Sequence, residues 1–366
     1  MGLRRRAIRP ALLLGAGMAT REALGRRNER SIAGRTALVT GGSRGLGLAL
    51  ARHLVDDGCR VAICARDQAE LDVARTDLER LAGKDAVVAI QCDVTDRAQV
   101  DDMVEEVTAR LGRIDILVND AGAITVGPAQ VMTEEDIAKS LDLMLWGLVH
   151  TAFAVVPQMR ERGDGQIVNI TSFGGKLAVP HLMPYSTAKF AAVGFSTGLH
   201  SELAKDGIAV TTVCPGEIRS GSYAQAMFKG RRDAEHRWFT AGGASPTTMS
   251  ADRAASRIVA GIRRREADVT FPWTITAAVA AAGLAPNWTA AALRQANRLL
   301  PGYSGADDGR EVGAQVEERK RGRVWDAATT FGRQAKTAYH NETAGPDIFD
   351  TTPANGLTEE RTLGDV

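Results

Sequence analysis

The chain has 366 residues, with 45 Lys and Arg against 44 Asp and Glu, for a net charge of +1. That balance excludes a global electrostatic case for nucleic-acid binding, and the length suits one large α/β domain with appendages. Cys59, Cys64, Cys92 and Cys214 have no metal-ligand spacing, and no metal site is expected; they read as small buried hydrophobes rather than a disulfide framework.

Residues 1–33 form a basic leader, with Arg4, Arg5, Arg6, Arg9, Arg21, Arg26, Arg27 and Arg30 around an apolar patch from Ala11 to Ala19. The patch is shorter than the roughly 20 apolar residues a bilayer span needs. A solvated leader, a helix lying on an anionic membrane surface and a cleaved signal peptide all fit it. From Thr36 onward, short β-branched runs alternate with helical stretches. The runs are Thr36 to Val39, Val61 to Cys64, Val87 to Ile90, Ile114 to Val118, Ile167 to Ile170, Val210 to Val213 and Val269 to Phe271. Between them, Asp67 to Leu81 carries Leu71, Ala74, Leu78 and Leu81 at helical spacing, and Thr95-Asp96 caps a helix to Leu111. This alternation predicts a doubly wound parallel sheet in one domain, 34–271, with ligands at the carboxyl ends of the strands.

The residues just after each run therefore carry the functional expectations. Thr40-Gly41-Gly42-Ser43-Arg44-Gly45-Leu46-Gly47 joins the first strand to an apolar helix. Strand, glycine-rich turn and helix start make a phosphate cradle, because free N–H groups and the helix dipole face the anion. Ala65 stands where a carboxylate would meet a ribose 2′-hydroxyl, followed by Arg66; Arg44 reaches the same region. Two guanidiniums with no competing acid suit a 2′-phosphate, so NADP (NADPH) is preferred over NAD. Asp67 is assigned to the helix cap. Asp93 is placed to accept from an adenine amino group beside Val94, and the small residues of Asn119-Asp120-Ala121-Gly122 let the backbone pass close to the adenosine half.

Ser172 follows the fifth run. Tyr185 and Lys189 come next, four residues apart and so on one helix face, after a loop marked by Pro180 and Pro184. This is what hydride exchange between an alcohol and a ketone or aldehyde requires: Tyr185 as acid/base, Ser172 on the substrate oxygen. Lys189 and a positive nicotinamide ring would pull the tyrosine pKa from ~10 towards neutrality, a differential stabilisation of ~4 kcal/mol.

Together, the glycine turn, Asn119 to Gly122, Ser172, Tyr185-Ser186-Thr187-Ala188-Lys189 and Pro215-Gly216 resemble the short-chain dehydrogenase/reductase family of the classical type, over about residues 34 to 271. The resemblance implies a Rossmann-type fold, NAD(P) binding and a Ser-Tyr-Lys oxidoreductase site. It implies that Lys189 holds the nicotinamide ribose and that Pro215, Gly216 and Ile218 flank the nicotinamide, with Ser220 in the hydroxyl role usually filled by threonine. It also implies a homodimer or homotetramer formed through long central helices. A soluble nicotinamide cofactor argues for a cytoplasmic protein, with peripheral membrane contact through the leader left open. Two residues depart from the family pattern. Asp120 replaces the second Asn of Asn-Asn-Ala-Gly, and Met144 replaces an Asn that helps hold a proton-relay water. Met144 supports an alternative reading, a cofactor-binding scaffold or redox sensor with little turnover.

Glu217 to about Ser250 falls where a substrate lid belongs. Its apolar Tyr223, Met227, Phe228, Trp238 and Phe239 suit a hydrophobic small-molecule substrate or lid packing equally, and His181, Leu182 and Met183 are expected to line the same pocket. Asp252 to Arg265 reads as the last core helix. A helical extension, 272–302, is apolar at Trp273 to Leu284 and helical again at Trp288 to Leu300. Residues 303–366 are expected to form a polar, loosely attached tail, with Arg319, Lys320, Arg321 and Arg323 on a solvated face.

Overall fold

A computed structural model describes residues 29–242, 248–303, 309–318 and 330–341. The patch Ala11 to Ala19 and the basic run at Arg319 to Arg323 lie outside the described residues. Seven strands form one parallel sheet: β1 (Thr36–Thr40), β2 (Arg60–Ala65), β3 (Val87–Gln91), β4 (Ile116–Asn119), β5 (Gly165–Ile170), β6 (Ile208–Pro215) and β7 (Asp268–Phe271). Their order is β7-β6-β5-β4-β1-β2-β3, so the chain winds outward in one direction, returns to β4, and winds outward in the other. The reversal falls between β1 and β4, where the crevice of an open parallel sheet holds its ligand.

Alternation along the strands explains the layers, since successive side chains point to opposite faces. Ala37 and Val39 of β1 join one core with helices α1 (Gly45–Asp56), α2 (Gln68–Ala82) and α8 (Ala251–Arg264). Leu38, between them, joins the other core with α3 (Arg97–Leu111), α5 (Gly147–Arg162) and α6 (Met183–Leu203). Leu38 is fully buried, so Leu38→Ala removes its packing at a cost of about 2–5 kcal/mol. Asp67 caps α2 by accepting from Glu70 N–H at 3.0 Å, and Asp96 caps α3 in the same way. Ahead of β1, Ile32 is buried in the first core, and Glu29 pairs with Arg264 at 2.8 Å.

Helix α4 (Glu134–Leu141) runs through a π-helical turn, Asp142–Trp146, into α5. The combined stretch Glu134–Arg162 is long and apolar enough to cross a bilayer by composition, but much of it is buried against the sheet and neighbouring helices. The lid carries α7 (Arg232–Gly242) and a two-residue strand, Met227–Phe228. After β7 come α9 (Trp273–Leu284) and α10 (Pro286–Asn297), the second starting two residues earlier and ending three earlier than the pattern suggests.

The expected loose tail is corrected in its described parts. Glu311–Val312 pairs with Met227–Phe228, α11 (Gly313–Glu318) follows, and Val316 is fully buried beneath the lid. Helix α12 (Thr330–Ala338) and the residues to Asn341 pack on the glycine turn. The polar composition concealed this because the docking uses backbone and amide partners, described below.

Candidate active site

One cavity of about 440 Å³ opens at the carboxyl ends of β1, β4, β5 and β6. Of the residues expected from sequence, Gly41, Ser43, Arg44, Gly45, Leu46, Arg66, Asp93, Val94, Ala121, Gly122, Ser172, Tyr185, Lys189, Pro215, Gly216, Ile218 and Ser220 line it. Gly47 and Asn119 do not. Gly47 sits behind the turn, where a Cβ would collide with the Gly41 carbonyl and approach the Asp120 carboxylate. Gly41 has φ +68°, and a Cβ there would lie 3.1 Å from the Ala121 backbone. The turn is therefore a cradle open to a phosphate and closed to side chains.

Asn119 is corrected from a cofactor contact to an interior tie. Its amide donates to Asn169 Oδ1 at 3.0 Å and its Oδ1 accepts from Thr151 at 2.7 Å. Asn169 continues the chain to Ser196, which meets Thr212 at 2.7 Å. The network locks β4, β5, β6, α5 and α6 together beneath the site.

Ser172 stands two residues past β5, and its hydroxyl accepts from Gly174 N–H at 3.0 Å while also bonding the Tyr185 hydroxyl. One turn along α6, Lys189 donates to the Ile170 carbonyl at 2.8 Å, and its ammonium lies 5.8 Å from the Tyr185 ring centre. The three side chains meet on the cavity floor. Their titration differs from the expectation of a lowered tyrosine. Burial pushes Tyr185 up to about 12, with the Ser172 bond opposing. Burial also lowers Lys189 to about 8, opposed by the charge of Asp120. Asp120 is itself raised to about 7 by burial, against the pull of Lys189. Burial thus holds the phenol neutral, and a further positive charge at the site would bring it down. Met144 is buried, with its sulfur near the Gly122 backbone.

A competing acid is present at the expected 2′-phosphate site. Glu70, in the first turn of α2, pairs with Arg44 at 2.5 Å and accepts from Ser43 Oγ at 3.1 Å. The residues directly after β2 do not reveal it, because the helix capped by Asp67 brings its first turn back to the cavity. Asp93 Oδ1 accepts from the backbone and hydroxyl of Thr95 at 2.9 and 2.8 Å, which fixes the turn that carries it.

Beyond the floor, Leu143, Phe173, Val179, Leu182, Trp238 and Phe239 give the cavity an apolar wall. Met227 and Phe228, in the lid's own strand, pack instead in small clusters with Ala123 and Val316. His181 turns away from the cavity to a buried pair with Glu235 at 2.9 Å, and Met183 is not among the lining residues. Glu217 does line the cavity, and burial raises its carboxyl to about 7.

The C-terminal segment closes the cavity on the glycine-turn side. Gly45 N–H donates to the Tyr339 carbonyl at 2.9 Å, and the Asn341 amide donates to the Ser220 carbonyl at 2.6 Å. Outside the cavity, Arg52 donates to the Ala338 carbonyl at 3.0 Å and stacks over the Tyr339 ring. Nothing in the sequence near Asn341 marks this role; it rests wholly on tertiary contact. Among the described residues no cluster of three potential metal ligands occurs, and all four cysteines are buried and free.

The parallel sheet with a glycine turn at the switch point is the fold of the nucleotide-binding α/β class. A family model for short chain dehydrogenase matches residues 35–229, and the chain belongs to that family. The "dehydrogenase/reductase SDR family protein 7-like" of Anopheles gambiae is 37% identical over 252 residues, covering 66% of this chain and 76% of that protein. A short-chain dehydrogenase from Streptomyces avermitilis superposes with a TM-score of 0.62 at 32% identity, over 72% of this chain and 98% of that one. The L-sorbose reductase of Gluconobacter frateurii, solved with NADPH and L-sorbose, superposes with a TM-score of 0.59 at 26% identity, over 66% and 97%.

Proposed function

We propose that the chain is an NADP-preferring oxidoreductase that interconverts a hydrophobic alcohol with its ketone or aldehyde. The observation that carries this is the convergence of Ser172, Tyr185 and Lys189 on the floor of the cavity that the glycine turn also lines. The glycine turn, Arg44 and Arg66 would hold the phosphates, and Pro215, Gly216 and Ser220 the nicotinamide end. The nicotinamide, when bound, supplies or accepts the hydride. Ser172 donates to the substrate oxygen and fixes its direction. Tyr185 gives that oxygen a proton in reduction and takes it back in oxidation. Lys189 keeps a cation beneath the phenol, and the Asp120 charge favours the protonated state of Lys189. Asp120 thereby supports the site from the position where the family usually has Asn.

The apolar wall supports a hydrophobic substrate. Trp146, Phe153 and Phe190 are exposed apolar side chains on the π-helical turn, α5 and α6, which supports pairing with a second copy through those helices. NADPH consumption against a panel of apolar ketones and aldehydes tests the reading. Turnover is expected in the native chain and is lost in Tyr185→Phe while NADPH still binds; equal turnover in the two proteins would sink it. Met144 favours a second reading, a scaffold that binds the cofactor with little turnover. Binding without turnover in the native chain, with turnover gained in Met144→Asn, would select that reading.

A further inference from the structure

Helices α9 and α10 are built unlike the rest of the molecule. Neither has a single buried residue, yet α9 is WTITAAVAAAGL, without one charged side chain. Its exposed positions, Ala277, Ala278, Ala280, Ala281 and Leu284, lie along one side, and Ile275, Val279 and Ala282 on the other side are partly buried. An exposed apolar side of this kind marks a contact surface. Leu284 at the tip is 88% exposed and Trp288, at the start of α10, 81%. The hairpin is attached at its base, where Ile275 sits against Gly216 in the cavity wall.

We infer that the α9–α10 hairpin is a docking surface for an anionic lipid bilayer, entered tip first by one leaflet's depth. Two observations choose lipid over a second copy of the chain. From Pro272 to Tyr303 there is no carboxylate side chain, while Arg294 on α10 and Arg298 just past its end are both exposed. That charge pattern complements anionic headgroups and leaves no acid to be repelled by them. Finally, α9 has 12 residues, about 18 Å of helix, enough to enter one leaflet and too short for a hydrocarbon core of about 30 Å. Trp273, at the base, suits the amphipathic interface zone. Because the hairpin springs from the cavity wall beside Gly216, docking brings the site close to the membrane surface.

The surface stands apart from the oxidoreductase reading, since its test reads no turnover. The full chain is floated with phosphatidylcholine vesicles, with and without phosphatidylglycerol. Flotation is expected with the anionic vesicles and is weaker with the neutral ones. The double variant Leu284→Glu with Trp288→Glu, altered only at exposed positions, is expected to lose about tenfold in partition coefficient or more. Its melting temperature and NADPH affinity should match the native chain and report intact folding. A second pair, Arg294→Gln with Arg298→Gln, should remove the preference for anionic vesicles without touching the apolar tip. Three results overturn the inference: no flotation of the native chain; equal flotation of native chain and Leu284/Trp288 variant, which would move the contact to another segment; or a lipid-free dimer, seen by sedimentation velocity, that this variant dissolves.

Discussion

The cavity is made of two kinds of material. Its floor comes from strand ends and one long helix, with Ser172 and Lys189 almost fully buried and tied to neighbouring backbone. Its cover comes from the lid and from residues 309–318 and 330–341, which bury Val316 beneath the lid and meet the cavity rim through polar contacts such as Asn341 to Ser220 and Gly45 to Tyr339. Each such bond contributes about 1 kcal/mol net, far less than the packing of two core layers. The floor is thus fixed by the fold, while the cover can open at small cost. A change in the floor should show in the chemistry, and a change in the cover in how the cofactor is held.

The sharpest test of that division is Lys189→Met. It removes the buried ammonium but keeps a side chain of similar length. Turnover should fall by about 10³-fold, within the range of a lost acid/base partner. Helix α6 should stay folded, as read by circular dichroism. A loss confined to NADPH affinity, with turnover at saturation unchanged, would move Lys189 from the chemistry to binding alone.

The cover is tested by two changes that need not touch the chemistry. Asn341→Ala removes the donor to the Ser220 carbonyl, and NADPH should then bind about tenfold more weakly, about 1.4 kcal/mol, chiefly through faster release. Gly221→Ala should do the same from the other side. Gly221 has φ +82°, and its Cβ would lie 2.6 Å from the Lys336 backbone, so the C-terminal segment must move. Stopped-flow release of NADPH measures both. Tighter binding in either variant would make the segment a plug and not a clasp.

How much of this was legible follows the same division. The seven strands were readable because each is a short β-branched run buried on both faces, and α2 and α3 because Asp67 and Asp96 cap them. Ser172, Tyr185 and Lys189 stand out because strand end and helical spacing bring them together. Glu70 needed one more step, since a capped helix places its first turn at the cavity. Asn119 misled because a strand-end amide can face the ligand or the interior, and only the tie to Asn169 decides. Asn341 had no local signal at all: its partner Ser220 is distant in sequence, and a lone Asn in a polar stretch looks solvated.

Within the floor, Asp120 tunes how long Lys189 stays charged. Its carboxylate raises the lysine pKa against burial, which alone would carry it lower than about 8. In Asp120→Asn that support is gone, so Lys189 loses its proton at lower pH. Activity that needs the cation should then decline earlier on the alkaline side, with the alkaline limb of kcat moved down by up to about one pH unit. The stability sign is separate. The native Asp120 pKa is raised to about 7 from 3.8, so the folded state keeps a proton the unfolded state gives up between those values. The Asp120 contribution to native stability therefore falls as pH rises through that window, and the Asn variant should lose the part of the melting-temperature slope that Asp120 causes.

The smallest effect concerns cofactor choice, where floor and cover meet at Arg44. Arg44 and Arg66 line the region that would receive a 2′-phosphate, but Glu70 holds Arg44 in a salt bridge. Glu70→Gln removes the competing charge and frees Arg44 for the phosphate, so NADPH should bind a few-fold tighter while NADH barely changes. Arg66→Ala should act oppositely, weakening NADPH more than NADH. The two changes lie on opposite sides of one electrostatic balance, so the ratio of NADPH to NADH affinity is the quantity to measure. Equal losses for both cofactors in Arg66→Ala would show that this arginine does not read the 2′-position, whatever Glu70→Gln does.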